Sequence, residues 1–176
     1  RDDDHFCGGY REYWDNVEGL GGEEGPIEIH FIDEVLPGYF WLFPVQGNRV
    51  NVGIGMLISE HRKLKADRKK SLKKIQKWVI NEHPRFKKRF ANATLVSGSE
   101  KGWQLPFGSP RKNSPSPFQP RRAAMAGAVC VGDAASLVDP FSGEGIGNAL
   151  LSAKLTASHF DKDIHKDGFT EEAAFE

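Results

Sequence analysis

The segment from residue 129 to residue 157 holds the residue types best suited to bind a cofactor. A short apolar run, residues 126–131, is followed directly by Gly132 and Asp133. This order predicts a carboxylate at the carboxyl end of a buried strand, where ligands of α/β folds bind. The glycine-rich residues 143–147 then precede a predicted helix, whose first backbone N–H groups and positive dipole end would face a planar or anionic ligand.

The glycine turn fits neither of the common nucleotide-binding patterns. Reading from Gly143 places Asn148 where a dinucleotide fingerprint has its third glycine, and no Gly-Lys-Ser/Thr follows as in a phosphate loop. The helix after the turn is predicted to carry an apolar stripe with small residues beside it: Ile146, Leu150, Leu151 and Leu155, with Ala149, Ala153 and Ala157. A structural role for the glycines, as a tight turn against which the helix packs, stays open.

Aromatic residues form the second pattern that could do chemistry. Tyr39, Trp41 and Phe43 alternate along a predicted strand, which sends all three side chains to one face. They would form either an apolar ligand wall or an ordinary sheet core. Turns join this strand to predicted strands at 27–33 and 50–56, so the three strands are expected to form an antiparallel meander.

No residue stands out as a general acid or base, and the catalytic residues stay unknown. Asp139 and Glu144 lie near the glycine turn, where each could donate a proton or stabilise the turn. The six histidines lack metal-ligand spacing, so no metal site is predicted. Cys130 is expected in the buried strand as a small hydrophobe, and Cys7 is expected to be more exposed.

Composition restricts the class of protein. The chain has 176 residues, 24 basic and 24 acidic side chains and a formal net charge of zero, which argues against a dedicated nucleic-acid binder. Two widely separated cysteines favour a reducing, cytoplasmic compartment. No apolar run reaches the length of a membrane span. The chain begins with arginine, so we expect a fragment or a processed piece of a longer protein.

The basic charge is concentrated in residues 61–89, which hold thirteen of the 24 basic residues and two acidic ones. Leu72, Ile75 and Val79 recur at helical spacing, with Pro84 just beyond, which predicts a basic amphipathic helix at about 67–83. The lysines would form a solvated face or a foothold on an anionic membrane. Four prolines and three serines between residues 109 and 120 predict an extended loop.

Two motifs resemble one enzyme family. The first is similar to the second flavin-binding motif of FAD-dependent oxidoreductases related to p-hydroxybenzoate hydroxylase, and its wording most resembles the geranylgeranyl reductases: Gly132-Asp133-Ala134-Ala135, Asp139-Pro140 and Gly143-Glu144-Gly145-Ile146. The second resembles that family's P-x-x-Y-x-W-x-F-P signature, with the tyrosine one residue closer to the proline: Pro37-Gly38-Tyr39, Trp41 and Phe43-Pro44. Residues 11–17 and 51–55 also resemble flanking strands, so the resemblance covers about residues 10–157.

The resemblance implies roles for individual residues. Asp133 would accept hydrogen bonds from the ribityl chain of FAD, and Gly132 would allow its close approach. The rest of the cofactor-binding set would lie along the isoalloxazine ring: Pro140, Gly143, Glu144, Gly145 and Ile146. Tyr39, Trp41 and Phe43 would bind a polyprenyl substrate. NAD(P)H or another donor would reduce the flavin.

The family's N-terminal dinucleotide-binding unit has no counterpart in this chain. We therefore expect a fragment that by itself binds FAD poorly and is inactive. The expected fold is α+β. Residues 1–125 are assigned to a substrate-side antiparallel sheet domain with the basic helix, and residues 126–160 to the end of the FAD-binding domain. Residues 161–176 are expected to be an acidic tail.

The implied function is reduction of carbon-carbon double bonds in a geranylgeranyl or other polyprenyl lipid by hydride from reduced flavin. The alternatives are a flavin monooxygenase or halogenase of an aromatic substrate, and a non-enzymatic binding domain in which the glycine turn serves packing alone. The expected location is the cytoplasm, with peripheral membrane contact through residues 61–89 as an option.

Overall fold

The computed structural model describes residues 3–20, 22, 24–68, 71–108 and 122–159. The chain divides into two compact units, residues 1–104 and 105–176. The predicted loop at 109–120 and the predicted acidic tail at 161–176 lie outside the described residues. The assignment of residues 126–160 to an FAD-binding domain stays a prediction.

The first unit is an antiparallel sheet with two helices, and the expected α+β fold is confirmed. The sheet order is β2-β3-β4-β1-β5, and β6 also pairs with β1. The strands of this sheet are β1 Phe6–Asp15, β2 Glu28–His30, β3 Tyr39–Val45, β4 Arg49–Leu57, β5 Thr94–Leu95 and β6 Lys101–Pro106. The predicted meander is present as β2, β3 and β4, although β2 is shorter than expected.

The basic segment forms two helices where the sequence predicted one at about 67–83. They are α1 Ile58–Arg68 and α2 Leu72–Asn81. Ser71 has extended backbone angles, and its side chain accepts a hydrogen bond from the backbone N–H of Lys74, so it caps a new helix. The prediction missed this start because the charge pattern runs on unchanged through the cap.

The core lies between the sheet and α2. Phe40, Leu42, Val52, Ile54 and Met56 are almost fully buried on the sheet. They pack in one cluster with buried residues of α2 and the segment after it: Ile75, Val79, Ile80, Phe86 and Phe90. The apolar spacing in α2 therefore serves core packing, while Lys73, Lys74 and Lys77 are exposed.

An ion pair fastens the segment after α2 to the edge strand β2. Arg89 donates two hydrogen bonds to the Glu28 carboxylate, at 2.7 and 2.9 Å, and a third to the backbone oxygen of Glu18. The Arg89 guanidinium, with a smaller contribution from His30, holds the pKa of Glu28 below its usual range. This bidentate contact anchors a strand of only three residues.

The second unit contains a short hairpin, a 3₁₀ turn and a helix. Its elements are β7 Ala124–Met125, β8 Ala128–Val129, the 3₁₀ turn Gly132–Ala135 and α3 Ile146–His159. The prediction of a buried strand at 126–131 is wrong. Gly127 has a φ of +77° and turns the chain back on itself, and residues 126–130 are exposed.

Candidate functional site

Trp41 lies flat on a glycine pair of the neighbouring strand. An alanine Cβ at Gly53 would be 2.0 Å from Trp41 Cζ2, and one at Gly55 would be 3.5 Å from Trp41 Cζ3. The indole Nε1 donates a 3.1 Å hydrogen bond to Oδ1 of Asn51. Because residues 53 and 55 have no side chains, the indole packs directly against the backbone of β4, and its hydrogen bond to Asn51 fixes the orientation of the ring.

Tyr39, Trp41 and Phe43 form a continuous aromatic row. The Tyr39 and Trp41 ring centroids are 5.9 Å apart with an edge-on geometry, and the Trp41 and Phe43 rings are stacked at 5.9 Å. Phe31 extends the row, with its centroid 6.2 Å from that of Tyr39. The row lies on one face of the sheet, because the intervening Phe40 and Leu42 point into the core on the other.

Cys7 lies beside this aromatic row. Its Sγ would be 3.4 Å from an alanine Cβ at Gly55, the same position that approaches Trp41. Burial raises the pKa of the Cys7 thiol to about 11, so the thiol is protonated at neutral pH. The prediction that Cys7 is more exposed than Cys130 is wrong. Cys7 is half-buried, and Cys130, next to the exposed hairpin, is accessible to solvent.

A buried carboxylate that the sequence patterns did not single out lies on the core side of the sheet. Glu12 accepts hydrogen bonds from the Tyr10 hydroxyl at 2.8 Å, from Trp14 Nε1 at 3.0 Å and from Gln76 Nε2 at 3.1 Å. Burial raises the pKa of Tyr10, and the bond to Glu12 raises it further. The alternation of Tyr10, Glu12 and Trp14 on β1 was the available signal, but it did not identify the partner on α2.

In the second unit, the predicted cofactor residues gather at the start of α3. Gly132 has a φ of +54° and donates its backbone N–H to Ser152 Oγ on α3. An alanine Cβ at Gly132 would be 3.0 Å from the Cβ of Ala149, and one at Gly145 would be 3.0 Å from Val138 Cγ2. Both glycines are thus tightly packed within the unit, so their presence alone does not indicate a ligand.

Asp133 differs from the glycines because its side chain makes no hydrogen bond within the described part of the chain. It is exposed on the 3₁₀ turn, and no described residue donates a hydrogen bond to its carboxylate. Its Oδ1 would be 3.6 Å from an alanine Cβ at Gly145, so the carboxylate lies next to the turn that begins α3. An unused acceptor beside a helix N-terminus is suited to a ligand that brings hydroxyl donors.

Asp139 and Glu144 organise the turn between Val138 and α3. One Asp139 oxygen accepts hydrogen bonds from the backbone N–H of Phe141 and from the N–H and hydroxyl of Ser142. These bonds lower the pKa of Asp139 and favour its ionised form. Glu144 accepts a 2.6 Å bond from the N–H of Gly147 and caps the helix.

The apolar stripe predicted on α3 is present and exposed. Ile146, Leu150, Leu151 and Leu155 are each more than half exposed, and α3 buries no residue within the described part of the chain. Pro140 and Phe141, in the preceding turn, are exposed as well.

No helix in the described ranges is long and apolar enough to cross a membrane. The same ranges contain no cluster of three or more histidine, cysteine or acidic side chains arranged to hold a metal ion.

A family profile and two curated relatives match large parts of this chain. A family profile, described as the geranylgeranyl reductase catalytic domain, matches residues 7–96. The digeranylgeranylglycerophospholipid reductase of Picrophilus torridus is 32% identical over 135 residues, which cover 77% of this chain and 29% of that protein. The menaquinone reductase of Mycolicibacterium smegmatis is 30% identical over 129 residues, 70% of this chain and 26% of that protein.

Solved structures share the fold. A geranylgeranyl bacteriochlorophyll reductase-like protein from Thermoplasma acidophilum matches 99% of this chain and 38% of its own, with a TM-score of 0.74 and 22% identity. The myxobacterial chondrochloren halogenase, an FAD-dependent enzyme, matches 96% of this chain and 36% of its own, with a TM-score of 0.64 and 22% identity. The chain spans 29–33% of the length of the first curated relatives it matches.

Proposed function

Because this chain belongs to the geranylgeranyl reductase family, as its motifs suggested, we propose that it is part of an FAD-dependent oxidoreductase that reduces carbon-carbon double bonds of a polyprenyl lipid. The observation that carries the substrate class is the aromatic row Tyr39, Trp41 and Phe43 on one sheet face, within the part that the family profile matches. The names of relatives that act on digeranylgeranylglycerophospholipid support a lipid substrate.

The residues around α3 fit FAD. The exposed carboxylate of Asp133, to which no residue in the described ranges donates a hydrogen bond, would accept hydrogen bonds from the ribityl hydroxyls, and Gly132 next to it has no side chain. Pro140, Gly143, Glu144, Gly145 and Ile146 would hold the ring system. The dipole of α3 and its first N–H groups, apart from that of Gly147, which donates to Glu144, would stabilise negative charge on the reduced ring.

In this proposal the chain contributes positioning and exclusion of water. Bound FAD supplies the hydride chemistry, after reduction by NAD(P)H or another donor. Tyr39, Trp41 and Phe43 would line up the apolar chain, with Trp41 held by Asn51 and the glycine pair. No residue of the chain is assigned as the proton donor.

Oxygen dependence tests the reductase activity. The full-length protein, reduced without oxygen and given a geranylgeranyl glycerophospholipid, is expected to add two hydrogens for each double bond reduced, as measured by mass spectrometry. Product that forms only with stoichiometric oxygen consumption would favour a monooxygenase or halogenase, whose fold is shared. Reduction without oxygen would exclude that alternative.

Asp133→Ala tests the cofactor site separately. In the full-length protein, FAD affinity is expected to fall about tenfold or more, because the variant lacks the charged acceptor. Flavin absorbance after gel filtration and a flavin titration measure the change, and Asp133→Asn, which keeps one acceptor oxygen, should lie between. Since no described residue bonds to this carboxylate, thermal stability without flavin should barely change. If the flavin content does not change, the glycine turn would serve only in packing, and the proposed cofactor role of Asp133 would be wrong.

We also propose a cytoplasmic location with peripheral membrane contact. Lys73, Lys74 and Lys77 project from α2 into solvent, which supports electrostatic attraction to anionic lipid. The apolar side of the same helix is used by the core and is not offered to a membrane.

A further inference from the structure

Trp41 is the middle ring of the aromatic row, so its orientation affects the whole row. Its ring centroid is 5.9 Å from that of Tyr39, with an edge-on geometry, and 5.9 Å from that of Phe43, on which it stacks. A turn of this one ring would change both contacts, because each depends on the angle between two ring planes. The apolar surface of the row therefore depends on what holds the indole in place.

The indole lies lengthwise along β4. Its Nε1 is 3.1 Å from Oδ1 of Asn51, its Cζ2 lies over Gly53, and its Cζ3 lies near Gly55. The two glycines let the ring lie against the strand, but their backbone does not determine which edge of the ring points toward residue 51. The hydrogen bond to Asn51 distinguishes the two edges, because the N–H is the one polar group of an indole.

The strand register places Asn51 for this contact. It pairs directly with Phe43 in the β3–β4 ladder, so its side chain lies on the same face of the sheet as the aromatic row. Its carbonyl oxygen accepts the hydrogen bond of the Trp41 indole, so this N–H needs no partner from water or from a ligand. An apolar chain that covers the ring then buries no unpaired donor.

We propose that Asn51 is a positioning residue for the substrate, because it holds Trp41 in one orientation and pairs the indole N–H beneath the bound apolar chain. The inference rests on the proposed function, since it takes the aromatic row as the place where the polyprenyl chain binds. Asn51 acts through Trp41 and is not assigned a contact with the reacting atoms. Without Asn51 the indole N–H would pair with water, which a bound apolar chain would displace at a cost in affinity.

The structural part of the proposal is tested by hydrogen exchange of the indole N–H groups in the 176-residue chain, followed by nuclear magnetic resonance with isotope-labelled tryptophan. Asn51→Leu, which removes the acceptor, should speed exchange of the Trp41 N–H about fivefold or more. Asn51→Asp, which keeps an acceptor oxygen, should leave this group protected. Asn92→Leu is the matched control, because it removes a 3.1 Å side-chain bond to Glu18 instead, and it should leave the exchange of Trp41 unchanged.

The functional part is tested in the full-length protein by steady-state kinetics with a geranylgeranyl glycerophospholipid. Asn51→Leu should raise the KM for the lipid about fivefold, as expected for the loss of one hydrogen bond. The kcat should change by less than about twofold, because the contact with the chain is the same in the bound ground state and in the transition state. In a Trp41→Phe background, which has no N–H to pair, Asn51→Leu should not change the KM further.

Three results would overturn the role of Asn51. They are unchanged exchange of the Trp41 N–H in Asn51→Leu, an unchanged KM in an active Asn51→Leu enzyme, and an equal rise in KM when residue 41 is phenylalanine. Asn51→Ala also lacks the acceptor and replaces the leucine variant if circular dichroism shows that the latter does not fold. A wild-type protein that does not reduce the lipid would overturn the proposed function and this inference together, whereas an active wild type with an unaffected variant overturns this inference alone.

Discussion

Gly53→Ala is expected to destabilise the first unit by about 2 kcal/mol, the range for a methyl group forced into a filled site. The new Cβ would be 2.0 Å from Trp41 Cζ2, so the indole ring has to move away from the backbone of β4. Movement of the ring would also strain its bond to Asn51 and its stacking on Phe43. Urea unfolding, followed by circular dichroism, measures the loss of stability.

The neighbouring glycine provides a matched control. Gly55→Ala makes the same chemical change two residues along β4, where the Cβ would have ordinary contacts of 3.4 and 3.5 Å with Cys7 Sγ and the Trp41 ring. Its cost should be well under that of Gly53→Ala. In a Trp41→Ala background the penalty at 53 should disappear, because the clashing ring is absent. A penalty that persists there would show that Trp41 is not its cause.

Glu12→Ala is expected to cost about 3 kcal/mol, because it removes the shared acceptor of three donors, two of them half-buried and one fully buried. Tyr10, Trp14 and Gln76 all donate to this carboxylate, and Gln76 is fully buried. The free energy of unfolding in urea measures the effect. The pKa of Tyr10 should also fall, because the charge and hydrogen bond that help to raise it are lost.

Glu12→Gln is the control for this network. Its amide oxygen can still accept from Trp14 and Gln76, and the Tyr10 hydroxyl can turn to accept from the new amide N–H. The stability loss should therefore be much smaller than for alanine. Equal losses in the two variants would mean that the negative charge, and not the number of hydrogen-bond acceptors, holds the network together.

The aromatic row and the segment before Gly132 differ in how well their sequence patterns predicted the structure. Tyr39, Trp41 and Phe43 were expected on one face because alternation in a strand is a local property of the backbone. The sequence linked residues 51–55 of β4 to the family only by resemblance. Their contacts with Trp41, by packing and by the hydrogen bond to Asn51, depend on the register between β3 and β4. The buried strand expected before Gly132 failed because Gly127 turns the chain into an exposed hairpin.

The sequence by itself determined the family, the α+β class, the aromatic row and the grouping of Gly132, Asp133 and the 143–146 turn, since each depends on local order or on a motif. Only the tertiary structure separated the roles within these groups. It placed Gly132 and Gly145 in tight packing contacts, gave Asp139 hydrogen bonds within the turn, and gave the Asp133 carboxylate no donor among the described residues. It also joined Glu12 to Gln76, which are 64 residues apart in the chain. Such contacts depend on how strands and helices meet in space, and no local spacing in the sequence encodes that meeting.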